Sequence, residues 1–389
     1  MKTMRNTLFV GSALALAACG GELNDVDSLE ANLATTEAPL ALAEPGRAIP
    51  DAFIVQLKDG ADARSVAAVA GVSPKYVYSV INGFAATLNP GQLTALRNNP
   101  NVALIEQDQV VNTVATQSSA TWGIDRIDQR ALPRSGTYNY TSTASTVYAY
   151  IIDTGIYTAH TNFGGRATNV FDAFGGNGND CNGHGTHVAG TVGSSTYGVA
   201  KSVKLRGVRV LDCAGSGSNS GVIAGIDHVR LNHTKPAVAN MSLGGGYSST
   251  INTAVTNLAN AGVFVVVAAG NDNANACNYS PASATAVTTV GATTSTDARA
   301  SYSNYGSCVD VYAPGSSITS TWSNGSTNTI SGTSMASPHV AGVGALYKAT
   351  YGDASQDTVN SWIVNNATLN VVTGNPSGTV NKLLFKSTL

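Results

Sequence analysis

The sequence predicts an α/β protein whose mainly parallel sheet is covered by helices on both faces, preceded by a small ferredoxin-like α+β domain. Two observations carry this expectation. From about Ala115 onward, short apolar runs alternate with helix-patterned segments, as parallel strands joined by crossover helices do. Between Ile49 and Asn112 the pattern instead reads strand, helix, strand, strand, helix, strand. A chain of 389 residues has room for both domains and for a substantial core.

The N-terminus reads as an export leader over residues 1–19. Lys2 and Arg5 supply its positive end, and Leu8 to Ala18 form an apolar run too short to span a bilayer. The run ends Leu16-Ala17-Ala18-Cys19-Gly20, similar to a lipoprotein processing box in which Cys19 is lipidated; the plainer alternative is a cut after a small residue near Ala17 or Ala18. Residues 20–48 are acidic, rich in Ala and without periodicity, and are expected to be a flexible linker.

In the domain at 49–114, strands are expected at Ala52 to Leu57, Tyr76 to Ile81, Phe84 to Leu88 and Val102 to Val111, with helices at Ala61 to Ala70 and Gly91 to Asn98. In the domain at 115–389, strands are expected at Val147 to Ile152, Val203 to Leu211, Ala237 to Met241, Val263 to Ala268, Val287 to Gly291 and Val309 to Tyr312. Helices are expected at His187 to Ser194, Ser218 to Leu231, Ser249 to Asn260, Ser334 to Thr350 and Ala354 to Asn366.

Composition narrows the function. Charged residues make up 11% and the formal net charge is −2, which argues against nucleic-acid binding. A hydrophobic content of 43% argues against disorder. Past Cys19 there are four cysteines, Cys181, Cys213, Cys277 and Cys308, an even number that favours two disulfides in an exported chain and leaves three pairings open. No Cys-x-x-Cys pair supports a zinc site.

Three glycine-flanked segments hold an acid, a base and a hydroxyl: Ala149 to Gly155, Asn182 to Gly190 and Gly332 to His339. Asp153 follows an apolar strand, at the carboxyl edge where open α/β sheets bind ligands, although Asp153-Thr154-Gly155 alone reads equally well as a turn. His184 lies between two glycines just ahead of a helix. A metal site on His184 and His187 is disfavoured, because metalloprotease helices carry their histidines four apart with a glutamate between; His187 reads as a packed helix residue. Ser334 begins an apolar helix, with Pro338 expected in its first turn, and a helix N-terminus offers free N–H groups to a developing anion. Serine is a weak nucleophile unless a neighbouring base takes its proton, and that base needs a third group to orient it. The buried strand Val265 to Ala268 ends Ala269-Gly270-Asn271, where the Asn271 amide can donate to the same anion. Gly215-Ser216-Gly217-Ser218 and Ser242-Leu243-Gly244-Gly245-Gly246 read as glycine-rich strand edges that a peptide can pair with, although bare glycine runs are more often loops.

Taken together, the three segments, Ala269-Gly270-Asn271 and Ser242-Leu243-Gly244-Gly245 resemble the subtilisin-like serine proteases, which carry Asp, His and Ser in that chain order. From Trp122 to about Leu384 the likeness is to the proteinase K branch, carried by Asp180-Cys181-Asn182-Gly183-His184-Gly185-Thr186-His187 and by the run from Asn273 to Pro281. The resemblance implies a subtilisin-like three-layer fold and a secreted endopeptidase of broad specificity that prefers apolar or aromatic residues before the cut bond. It implies Asp153, His184 and Ser334 as the triad, with Asn271 and the Ser334 N–H as the oxyanion hole. Gly215, Ser216, Gly217, Ser242, Leu243 and Gly244 would bind substrate backbone, and Leu243, Ala269 and Gly270 would line the specificity pocket. It pairs Cys181 with Cys213 and Cys277 with Cys308.

The domain at 49–114 resembles the family's propeptide, an intramolecular inhibitor and folding chaperone released by self-cleavage near Val114 and Ala115. If Cys19 is lipidated, that cut frees a soluble enzyme from its only membrane tether. Structural calcium is implied at two places, one holding Asp125, Asp128, Gln129, Ser135 and Thr137, the other Asp310 with the carbonyls of Thr285 and Val287. The family often has proline where Thr285 stands, which matters little if only the carbonyl binds. Protein and peptide substrates, a monomeric state and no nucleic-acid partner complete the expectation. An esterase of the α/β-hydrolase kind would need glycine where Ala336 stands.

Overall fold

The computed structural model describes residues 37–43, 48–111 and 114–389. The expected export leader, Cys19 and most of the acidic linker lie outside them.

Two compact units are present, divided near residue 106. In the first, a five-stranded sheet runs in the order Leu40–Ala41, Val102–Gln109, Ala48–Leu57, Gly83–Thr87, Tyr76–Tyr78. Helices Ala63–Val69 and Pro90–Arg97 pack on it, and Val55, Val66, Phe84, Leu96 and Ile105 form its core. The second helix starts on a capping box: Asn89 and Gln92 each satisfy the other's backbone N–H, and Pro90 occupies the first turn. The ferredoxin-like order holds, with one correction to the expected flexible linker. Leu40 and Ala41 form a strand that pairs in parallel with Ile105 and Glu106, covering the backbone groups that the outer edge of Val102–Gln109 would otherwise leave open.

The second unit is built on nine strands: β1 (Tyr148–Asp153), β2 (Ala167–Asp172), β3 (Lys204–Arg209), β4 (Ala237–Met241), β5 (Phe264–Ala268), β6 (Thr288–Thr293), β7 (Val311–Pro314), β8 (Thr368–Leu369) and β9 (Lys382–Leu383). Their order is β8-β9-β7-β6-β5-β4-β1-β3-β2. All neighbours are parallel except β8, which is antiparallel to β9. The helices are α1 (His184–Gly193), α2 (Asn219–Asn232), α3 (Ser249–Asn260), α4 (Thr333–Tyr351) and α5 (Gln356–Asn366).

Alternate residues of each central strand serve opposite layers, because side chains alternate across a sheet. Ala149 and Ile151 of β1 and Phe264 and Val266 of β5 join Val188, Val340 and Ile363 from α1, α4 and α5. Tyr150, Ile152, Val265 and Val267 join Ile226 and Val255 from α2 and α3. Strands with both faces buried read as continuous apolar runs, which is why β1 and β4 to β7 were legible. Strand β2 was not anticipated: it is an edge strand whose residues are mostly half-exposed.

Two local expectations are corrected. His184 is the first residue of α1 rather than a residue ahead of it. Pro338 lies inside α4, past its first turn. Both expected disulfides are formed, Cys181–Cys213 and Cys277–Cys308, with Cα separations of 5.0 and 5.4 Å.

Two histidines are packed in the core. His187 lies in α1 with Nε2 donating to the Ile318 carbonyl at 2.9 Å, and His339 lies in α4 with Nδ1 donating to the Met335 carbonyl at 2.8 Å. Burial holds both rings neutral and pushes each pKa down to about 4, from an ordinary 6.5. Below 6.5 the unfolded chain takes up protons that the folded chain refuses, so stability is full above that pH and is lost as pH falls toward 4. The loss should reach about 3 kcal/mol per histidine. Thermal midpoints of the protein between about pH 7 and pH 4 measure it; a flat profile would contradict this placement.

Candidate active site

Asp153 closes β1 and is fully buried. Its Oδ1 accepts the Thr154 N–H at 2.7 Å and the His184 Nδ1–H at 2.8 Å. With the proton fixed on Nδ1 by the carboxylate, Nε2 keeps its lone pair. The imidazole side chain is 25% exposed and lines a cleft. Burial alone lowers its pKa, but the charge and hydrogen bond of Asp153, with the charge of Asp180, outweigh that and hold it above 6.5.

The turn presenting His184 is organised by Asp180. This buried carboxylate accepts from Thr154 Oγ1 (2.9 Å), the N–H groups of Asn182 (3.0 Å), Gly183 (2.9 Å) and Thr186 (2.9 Å), and Thr186 Oγ1 (2.5 Å). Thr154 Oγ1 in turn accepts the Gly185 N–H at 2.9 Å, tying the end of β1 to the start of α1. The flanking glycines have steric causes. Gly183 has φ +111°, and a Cβ there would overlap the Trp322 ring; a Cβ at Gly185 would stand 2.2 Å from the Gly155 carbonyl oxygen.

Ser334 is the second residue of α4. Its N–H makes no hydrogen bond among the described residues. Nearby, Asn271 Oδ1 accepts both the N–H (2.8 Å) and the Oγ1–H (2.9 Å) of Thr333, so the amide is oriented and its Nδ2 makes no hydrogen bond among the described residues. Thr333 Oγ1 also accepts the Gly270 N–H at 3.1 Å. The Ser334 hydroxyl donates to the Ser242 carbonyl at 3.2 Å, and no hydrogen bond joins it to His184. Of the three expected reacting groups, the acid and base are therefore hydrogen-bonded, while the hydroxyl rests on a neighbouring carbonyl.

Two adjoining clefts gather the expected substrate residues. One, of about 560 Å³, is lined by His184, Gly215, Ser216, Gly217, Ser242, Leu243 and Gly244. The other, of about 370 Å³, is lined by Leu243, Gly244, Ala269, Gly270, Asn271 and Ser334. Of the glycine-rich segments, Gly245 and Gly246 form a short strand antiparallel to Tyr279 and Ser280, whereas Gly215 to Ser218 and Ser242 to Gly244 are not strands, a correction to their reading as strand edges. Gly217, Leu243 and Gly244 make no hydrogen bonds among the described residues, so their backbone groups remain open to an extended partner.

The expected calcium ligands fall in two places. Asp125 accepts from Ser135 N, Ser135 Oγ and Gly136 N at 3.0 to 3.2 Å, Gln129 Oε1 accepts from Ser135 N at 2.8 Å, and Thr137 Oγ1 lies 2.9 Å from Ser135 Oγ. Asp128 engages Asn139 N (2.6 Å) and Nδ2 (3.2 Å) instead. Asp310 accepts the Thr289 N–H at 2.8 Å, just past the segment holding Thr285 and Val287, and burial pushes its pKa up to about 6. Among the described residues no group of three or more His, Cys, Asp or Glu side chains gathers as a metal site.

Sequence reasoning did not single out the hydroxyls of Thr154 and Thr333 or the carboxylate of Asp180 as organiser. Asp180 and Thr154 do stand inside the motifs, but their partners are set by tertiary contact.

Residues 145–384 match the family described as "Subtilase family", and residues 52–114 match "Peptidase inhibitor I9". An extracellular serine proteinase of Thermus sp. (strain Rt41A) is 52% identical over 90% of this chain and 93% of its own length. Alkaline serine exoprotease A of Vibrio alginolyticus is 49% identical over 94% of this chain and 73% of its own. The crystal structure of a cold-adapted subtilisin-like serine proteinase, 52% identical, superposes with a TM-score of 0.68 over 69% of this chain and 99% of that one. The chain belongs to the subtilase family: it is a subtilisin-like serine endopeptidase that carries its I9 inhibitor propeptide in the same polypeptide.

Proposed function

We propose that this protein is an exported endopeptidase that cuts by an acyl-enzyme route, with Ser334 as nucleophile, His184 as general base and Asp153 as its orienting carboxylate. The observation that carries the reading is the 2.8 Å bond from His184 Nδ1 to buried Asp153, beside a helix N-terminus bearing Ser334. The Ser334 hydroxyl turns from the Ser242 carbonyl to His184 Nε2, gives up its proton and attacks the substrate carbonyl. Negative charge gathers on the carbonyl oxygen, where Asn271 Nδ2 and the Ser334 N–H donate. The imidazolium then protonates the leaving amine, and water repeats the sequence on the acyl-enzyme.

Substrate pairs in extended form with Gly215 to Gly217 and Ser242 to Gly244, and its residue before the cut enters the pocket lined by Leu243, Ala269 and Gly270. Those three residues are uncharged, in keeping with a preference for apolar or aromatic residues, and Asp272 is the one charged residue among the described residues along the same cleft. The precursor matures by cleaving itself near Val114 and Ala115. Calcium fits as a structural ion. Asp310 is a carboxylate held in a desolvated place, where a cation would favour its ionised form; Thr285 and Val287 would complete that site, and Asp125, Asp128, Gln129, Ser135 and Thr137 a second. Calcium would supply local rigidity and no step of the chemistry.

Ser334→Ala should abolish labelling by a fluorophosphonate and lower casein hydrolysis by several orders of magnitude; retained labelling would overturn the assignment. Asn271→Leu should lower kcat by about 10² to 10³, the loss subtilisin suffers when its oxyanion-hole asparagine is removed.

The base works only when deprotonated, so kcat/KM should fall on the acid side through a pKa above 6.5. Asp180→Asn removes one negative charge that raises this pKa, and should move the acid limb to lower pH in the pH–rate profile. Removing calcium with a chelator should lower the thermal midpoint more than it lowers turnover at low temperature. In Asp310→Ala part of that effect should already be lost.

A further inference from the structure

We propose that Ser242 is a positioning residue for Ser334: its hydroxyl replaces the main-chain N–H that Pro338 cannot give to the Ser334 carbonyl. The proposal rests on Ser334 being the nucleophile. In an α-helix the carbonyl of residue i accepts from the N–H of residue i+4. For Ser334 that residue is Pro338, which has no N–H. The vacancy falls on the same residue whose N–H serves the oxyanion, one bond pair along the main chain from it.

Ser242 Oγ donates to the Ser334 carbonyl at 2.7 Å. Asn240 Nδ2 donates to Ser242 Oγ at 2.9 Å, and Ser337 Oγ donates to Asn240 Oδ1 at 2.7 Å. The relay thus leaves the carboxyl end of β4 and returns to α4 one turn beyond the nucleophile. Asn240, Ser242 and Ser337 are 1%, 3% and 0% exposed, so water does not serve in place of a missing member. Ser242 also contributes its carbonyl, which accepts the resting Ser334 hydroxyl at 3.2 Å. The pair is reciprocal. One bond holds the Ser334 main chain still, and the other holds its side chain until the base takes it.

The Ser242 hydroxyl is fully engaged, its proton on Ser334 and a lone pair on Asn240, which separates this role from substrate binding by the Ser242 backbone. Ser242→Ala leaves that backbone in place. It should therefore lower kcat by about 10- to 100-fold, the scale on which small misplacements act, with KM nearly unchanged.

The decisive measurement is a double-mutant cycle on the full-length, self-processed enzyme, with active sites titrated and a peptide anilide as substrate. Pro338→Ala restores an N–H opposite the Ser334 carbonyl, so in that background Ser242→Ala should cost far less than it does alone. Overturning results are full kcat in Ser242→Ala, a loss confined to KM, or additive losses in the double variant. Should Ser242→Ala not mature, Ser337→Ala carries the test: it too must lower kcat at constant KM, and wild-type kcat would overturn the proposal. Failure of either kind leaves fluorophosphonate labelling of Ser334 intact, whereas a wrong nucleophile would show in Ser334→Ala.

Discussion

Burying a charged carboxylate is costly unless hydrogen bonds replace the water it loses. Asp180 meets that condition with five donors drawn from the residue after β1, the loop leading into α1 and the first turn of α1. The arrangement links two segments about thirty residues apart and leaves the His184 ring one bond from Asp153. Every other feature of the cleft is referred to this junction. If the turn drifted, the base would lose its orienting partner, and the glycines at 183 and 185 would no longer relieve the contacts that require them.

A parallel sheet gives such a junction its place. Because all the central strands run the same way, their carboxyl ends collect on one edge. Asp153 lies at the end of β1, Ser242 just past β4 and Asn271 a few residues past β5, while α1 begins with His184 and α4 carries Ser334 in its first turn. Residues far apart in the chain are thus brought together by the direction of the strands, and the apolar side chains on both faces hold that direction.

The parts legible in the sequence are those whose cause is local. Central strands and helices were readable from continuous or periodic apolar runs, and Asp153, His184 and Ser334 from glycine-flanked motifs, of which Gly155, Gly183 and Gly185 admit no larger residue. Asn271 was readable because it ends a buried strand. Strand β2 escaped notice because one edge of it has no neighbour and its residues are half-exposed. Asp180, Thr154 and the Asn240–Ser242–Ser337 relay escaped for another reason: their partners come from other elements, and no spacing rule announces a hydrogen bond between a strand end and a helix. The helix boundary at His184 and the place of Pro338 were off by a turn or less, since helix starts without a side-chain cap carry little signal.

The bridge between Cys181 and Cys213 has an effect beyond stapling a loop. Its first half-cystine stands three positions ahead of the imidazole, and its second stands two ahead of Gly215, on one wall of the groove. Asn182 reinforces the same joint by donating to the Cys213 carbonyl. If His184 and Gly215 act as proposed, one covalent link thus couples proton transfer to the gripping of a polypeptide. A thiol-rich milieu would slacken both at once without touching any reacting atom, and that ties full potency to surroundings where sulfur stays oxidised.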